Sequence, residues 1–207
     1  SAPSETTLQL RELVRWREEL VQQRTAAYQR LRALLAEWSP QLSELCDNLD
    51  CIWQLDILSQ FPTETILCQA HGNRIRSFVR NHRMRSKKQQ KIEDIRRSVP
   101  MQIPAGRVQV VEKQTIFLLE QTRMLTAQIK QIEEDLQQLT AQHPVVNVFK
   151  SLPVQAIVTI AGLMAIFGDN HKRTTSPDEL AALCGVAPVT IASGKTKRVR
   201  QRRACDH

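Results

Sequence analysis

Between Leu8 and Glu37 the apolar positions fall in two rows at seven-residue spacing, Leu13/Leu20/Ala27/Leu34 and Val14/Val21/Tyr28/Leu35, neighbouring stripes on one helical face. The spacing predicts one long amphipathic helix. It stops at Ser39-Pro40, because proline disfavours helix in the residue before it and brings no amide hydrogen. Shorter helices are expected through Leu58 and again after Pro62. From Thr65 to Arg97 a broken helical pattern carries Arg76, Arg80, Arg83 and Lys87 at spacings of four, three and four, expected on one face. Pro100 to Gly106, with Pro104, interrupts the chain. Arg107 to Gln142 then returns to helix, with Leu118, Leu125, Ile132 and Leu139 seven apart and Ile129 and Leu136 on the second seam row. That is a coiled-coil pattern over roughly three heptads. Thr115 and Thr122 fill the earlier seam positions and predict a looser N-terminal end. The partner of this helix is either the first long helix, folded back, or the same helix of another copy.

His143-Pro144 marks a boundary, so the expected organisation is a helical coiled-coil region, 1–142, with a basic segment at 71–97, and a smaller domain, 143–207. The small domain opens with Val145 to Ile157 and then Ile160, Ala161, Met164 and Phe167, in the outline of helix, tight hairpin, helix. Units of that outline grip phosphate with backbone amides at the start of the second helix. Gly168 suits a helix end. Ser176-Pro177-Asp178-Glu179 predicts a further helix, with an N-cap, a first-turn proline and a reciprocal Glu, closing at Gly185. A strand-like Ala187-Pro-Val-Thr190 follows. The fold class expected is mainly α: long antiparallel helices or a coiled coil, then a small helix-hairpin-helix-like C-terminal domain.

With 207 residues, 42% hydrophobic and 24% charged, the chain can hold one or two domains with real cores. No apolar run reaches the length of a membrane span. Nothing resembles a secretory leader, and the five cysteines, an odd number without a Cys-x-x-Cys pair, read as reduced thiols. A cytoplasmic, bacterial setting is expected. The five histidines form no metal set, so no metal or other cofactor is expected in this chain. The net charge is +8, but its distribution says more. Residues 71–97 hold ten Lys and Arg against Glu93 and Asp94, and residues 190–207 hold six against Asp206. Two basic patches on a slightly acidic remainder point to surfaces that face phosphate, and nucleic acid is the leading partner.

The second patch carries candidate chemistry. Ser193 stands before Gly194, whose backbone freedom allows close approach to a ligand, and beside Lys195, Lys197, Arg198, Arg200, Arg202 and Arg203. A hydroxyl that attacks a phosphodiester needs such positive charge near it. Lys195, Lys197 and Arg198 are the candidates for stabilising the phosphate oxygens. No general base stands out. The stripe Arg76, Arg80, Arg83 and Lys87 is the candidate contact to a nucleic-acid backbone.

The order Ser151-Leu-Pro, Phe167-Gly-Asp169, Ser176-Pro-Asp-Glu-Leu180, Gly185-Val-Ala-Pro-Val-Thr190, Ser193-Gly-Lys195 and Arg202-Arg-Ala-Cys205 resembles the C-terminal domain of the insertion sequence one-ten transposases, the bridge recombinases. Upstream, Leu10 to Val21 and Leu31 to Leu35 look like the long helix that follows the first domain in that family. The resemblance implies DNA transposition by site-specific recombination through a link between Ser193 and a DNA phosphate. It also implies guidance by a structured RNA in the intact protein and assembly of several copies through the coiled coil. The family's hairpin commonly has glycines where Val154, Gln155 and Ala156 stand, so a reshaped hairpin is expected here. The family's N-terminal domain, with four acidic residues (DEDD) that bind magnesium, has no counterpart in this sequence. The chain is therefore expected to be a fragment, inactive without that domain. A tyrosine recombinase is disfavoured, since the only tyrosine, Tyr28, lies in the helix seam. A non-catalytic DNA-binding module and a coiled-coil assembly protein are the alternative readings.

Overall fold

The computed structural model describes residues 4–143, 146–150, 156–167, 176, 188–193 and 196–201. The first apolar rows become α1, Glu5–Trp38, and the helix ends where Ser39 leaves helical geometry ahead of Pro40. Proline then opens α2, Pro40–Leu45, at a position where its missing amide hydrogen has no partner to lose. Short helices follow: α3, Ile52–Gln60; α4, Glu64–Cys68; α5, Gly72–Asn81; and α6, Ser86–Arg97. The chain returns in α7, Ala105–Gln142. Beyond it lie α8, Val146–Lys150, α9, Ile157–Phe167, and the strands β1, Pro188–Ser193, and β2, Thr196–Gln201. The protein is mainly α. It divides into two compact units, residues 16–132 and residues 1–15 with 133–207.

In the 16–132 unit, α1 pairs with α7 inside the chain and in antiparallel sense. Arg107 at the start of α7 stacks 5.3 Å over the Trp38 ring at the end of α1. Leu31 and Leu35 share a core with Leu118 and Leu119, and Thr126 hydrogen-bonds the Tyr28 hydroxyl further along. The helices α2 to α6 fill the rest of that core with Leu42, Ile57, Leu58, Phe61, Leu67, Phe78 and Ile92, all buried. The seam threonines are packed rather than loose: Thr115 and Thr122 are both buried, and Thr115 donates its hydroxyl back to the Val111 carbonyl at 2.9 Å.

Polar groups fix the short helices. The Thr63 hydroxyl accepts from the Ile66 amide at the start of α4. The buried Glu64 carboxylate accepts from the amides of Gln41 at 2.7 Å and Met101 at 3.1 Å, tying the start of α2 to the segment after α6. Asp56 on α3 accepts from Arg123 of α7 at 2.5 Å and lies 3.5 Å from His82.

In the other unit, Thr7 Oγ1 and His143 Nε2 lie 3.3 Å apart in a buried hydrogen bond. The Arg11 guanidinium donates to the Ala165 carbonyl at 2.9 and 3.3 Å, supplying a partner to a terminal carbonyl of α9 and a positive charge where the helix dipole favours one. α8 and α9 fall in the stretch where two helices were expected. The hairpin itself, with Val154 and Gln155, lies outside the described residues, as do Gly168 and the helix expected after Ser176.

Candidate nucleic-acid interface

The four basic positions expected on one helical face are split between two helices. α5 ends at Asn81, Arg83 takes φ 46, and α6 begins only at Ser86. The three-and-four spacing was real, but the helix did not run through it. The break follows a known C-terminal arrangement: the Arg83 amide donates to the Arg80 carbonyl and the Met84 amide to the Val79 carbonyl, both at 3.1 Å. This pair of bonds is a Schellman cap, with Arg83 in the left-handed position that glycine ordinarily fills.

The cap gathers charge by folding it back. Arg76, Arg80 and Arg83 line one open cleft of about 600 Å³, together with Asn73, Ser77 and Gln89 and over Val79 and Met84. Lys87, exposed on the first turn of α6, is not part of that lining. Ion pairing separates these arginines from their neighbours. Arg96 and Arg97 both reach Glu93, at 2.5 and 3.0 Å, and Arg123 reaches Asp56. Arg76 donates to the amide oxygen of Asn73, a neutral partner, and Arg80 and Arg83 have no ion pair among the described residues. Three exposed guanidinium groups without carboxylates around one cleft form an anion-attracting surface. Asn73, Ser77 and Gln89 were not singled out in the sequence, because polar residues on an exposed helix face give no periodic signal.

The second patch begins on a pair of antiparallel strands. β1 pairs with β2 in antiparallel register from Pro188↔Gln201 to Ser193↔Thr196, so Gly194 and Lys195 alone connect the strands. Ser193 is thus the last paired residue of β1, and Lys197, Arg198 and Arg200 lie on β2, Arg198 opposite Ile191 and Arg200 opposite Val189. Positions 193, 196, 198 and 200 have the same parity in the ladder, and residues of one parity belong to one face of a two-stranded ribbon. Arg198 is exposed. Gly194, Lys195, Arg202 and Arg203 lie outside the described residues.

Competing nucleophiles are set back. The Cys46 thiol is pushed up to about 12 by burial, with the Asp47 charge adding, and the Cys68 thiol is raised by burial and then by Glu64. Neither is a thiolate at neutral pH. The Tyr28 hydroxyl donates to Asp50 at 3.0 Å, and its pKa is raised by burial first and by Asp50 second. Among the described residues no three His, Cys, Asp or Glu side chains are grouped to hold a metal ion. No described helix is long and apolar enough to cross a membrane.

Residues 146–207 match the family described as Transposase IS116/IS110/IS902. Over 202 residues the chain is 29% identical to the Insertion element IS110 uncharacterized 43.6 kDa protein of Streptomyces coelicolor, an overlap covering 92% of this chain and 47% of that protein. The chain spans about half the length of that relative. No solved structure gives a significant match.

Proposed function

Because residues 146–207 match the family described as Transposase IS116/IS110/IS902, we propose that the protein takes part in DNA transposition through a covalent link between Ser193 and a DNA phosphate. The observation that carries the reading is the hairpin register, which sets position 193 at the end of a strand whose partner bears Lys197, Arg198 and Arg200. The chemistry is a transesterification. The Ser193 oxygen bonds to phosphorus, the bond from phosphorus to one strand's oxygen breaks, that oxygen takes up a proton, and the serine proton passes to solvent. Attack on the phosphoserine by a hydroxyl of another strand end then rejoins DNA and restores the serine, with no external energy source. Arg198 and Arg200, at positions on the same face of the ribbon as 193, stabilise the phosphate oxygens with Lys195 as charge builds on them, whereas position 197 belongs to the other face.

Guidance by a structured RNA rests on the resemblance alone. Self-association has a structural argument: Val110, Phe117 and Met124 recur every seven residues on α7 and are exposed, a second apolar row beside the one that faces α1. A second copy of α7 is the partner that such a row fits.

The test uses the complete protein that contains this chain and a DNA duplex nicked near the reacting phosphate, which traps the intermediate when the short strand end diffuses away. A protein–DNA adduct that survives denaturation and disappears in Ser193→Ala is the expected result. An adduct that persists in the variant assigns the chemistry to another residue, and no adduct in either favours a DNA-binding module without strand chemistry.

A further inference from the structure

Arg83 is held where its backbone is least comfortable, and non-glycine residues kept in the left-handed region cluster at binding sites. Its cap joins α5, of 10 residues, to α6, of 12, through the four positions 82–85. Ile75 and Phe78 of α5, Met84 of the turn, and Ile92 and Ile95 of α6 are all buried, which anchors both helices and the turn between them. Helix, short turn, helix with this apolar anchoring is the sequence order of a helix–turn–helix.

In such units the second helix enters the major groove of DNA with its N-terminal residues toward base edges, while neighbouring groups hold phosphates. α6 is built in that way. Its buried row is Ile92 and Ile95, and the exposed Lys88 lies 4.6 Å over the Trp53 ring. Ser86, Lys87, Gln90 and Lys91 are exposed in its first two turns, whereas Glu93 and Asp94 lie further along. Gln90 donates to Asp94 at 2.7 Å, a solvent-exposed contact that a base edge can replace. The positive charge without a carboxylate partner therefore gathers at the turn and the helix start, whereas Arg96 and Arg97 in the last turn are paired with Glu93. Duplex RNA suits this surface poorly, because its major groove is too narrow for a helix, whereas that of B-form DNA admits one.

We propose that α5, the 82–85 turn and α6 form a docking surface for duplex DNA, with Arg76, Arg80 and Arg83 on phosphates and Lys87, Gln90 and Lys91 toward the major groove. It rests on the reading of the protein as one that acts on DNA, but it does not require Ser193 to react. The left-handed arginine gives the idea its sharpest test, since Arg83→Gly relieves the backbone while removing the charge.

The experiment measures binding of the complete protein to a labelled mixed-sequence DNA duplex, and to the RNA duplex of the same sequence, over a range of salt, with thermal melts in parallel. Arg83→Gly should melt at or above wild type and yet bind DNA several-fold more weakly. The slope of log affinity against log salt should fall by about 1 for each arginine removed from the cleft, in Arg83→Gly and again in Arg76→Ala with Arg80→Ala. Unchanged affinity and slope in a natively melting Arg83→Gly overturns the proposal, and so does tighter binding of RNA than of DNA. Trapping the covalent adduct on the same preparations separates the two readings. Weaker docking by Arg83→Gly without any wild-type adduct retains this surface and removes the serine chemistry. An adduct with docking insensitive to Arg83 does the reverse.

Discussion

Arg83 is the one non-glycine residue among those described that has a positive φ. An L-residue there carries about 1–2 kcal/mol of local strain, and glycine gives back part of the difference through its freer unfolded chain, roughly 0.5–1 kcal/mol. Arg83→Gly is therefore expected to raise stability by on the order of 0.5–1 kcal/mol in denaturant titrations. Glu93 shows the opposite use of arginine. The Arg96 hydrogen bond holds its carboxyl at about 2 against the pull of burial, with Arg97 adding charge. Because its folded pKa is depressed, the contribution is present above the ordinary value of 4.5 and is lost as pH falls towards about 2. The group is solvent-facing, so the loss should not exceed about 1 kcal/mol. Stability measured from pH 6 downward, a range chosen as roughly that of acid titration, should decline in this window for wild type and decline less for Glu93→Gln.

At the scale of the element, α7 holds a polar atom that the core does not satisfy. The Thr122 hydroxyl is buried without a hydrogen-bond partner, while the neighbouring Thr115 hydroxyl finds the Val111 carbonyl. Thr122→Val keeps the shape and removes the unpaired group, and a gain of about 1 kcal/mol is expected from thermal or denaturant unfolding. The sequence foretold a loose end here because threonine was read as polar; in the packed helix its methyl group and short side chain fill the seam. Leu118, Leu125 and Ile132 on one row and Ile129 and Leu136 on the other were legible because seven-residue spacing survives any choice of partner; all five are buried, while Leu139 at the end of the first row is half-buried. The partner itself was not legible. It depends on the length and direction of the return through α2 to α6, which periodicity does not encode. The break at Arg83 escaped for a related reason: helix ends are signalled by glycine at the cap, and this cap carries arginine.

For the whole molecule, the distribution of charge was readable from the sequence, whereas its pairing was not. The basic segment 71–97 separates into arginines paired with Glu93 and arginines left open around the cleft, a division made only when the chain folds. The terminal hairpin was foreshadowed by the strand-like residues before Thr190, and the register adds what spacing lacked, namely which basic residues stand across from β1. Self-association belongs to this scale as well. Phe117→Glu, on the exposed row of α7, should lower the mass measured by sedimentation while leaving the melt close to wild type, and an unchanged mass would remove that row as an interface. The most direct measurement is the mass spectrum of peptides from a trapped protein–DNA adduct after nuclease digestion. A nucleotide phosphate on the peptide that contains Ser193, with the serine oxygen as its point of attachment, is the predicted result. A nucleotide attached to any other residue contradicts it.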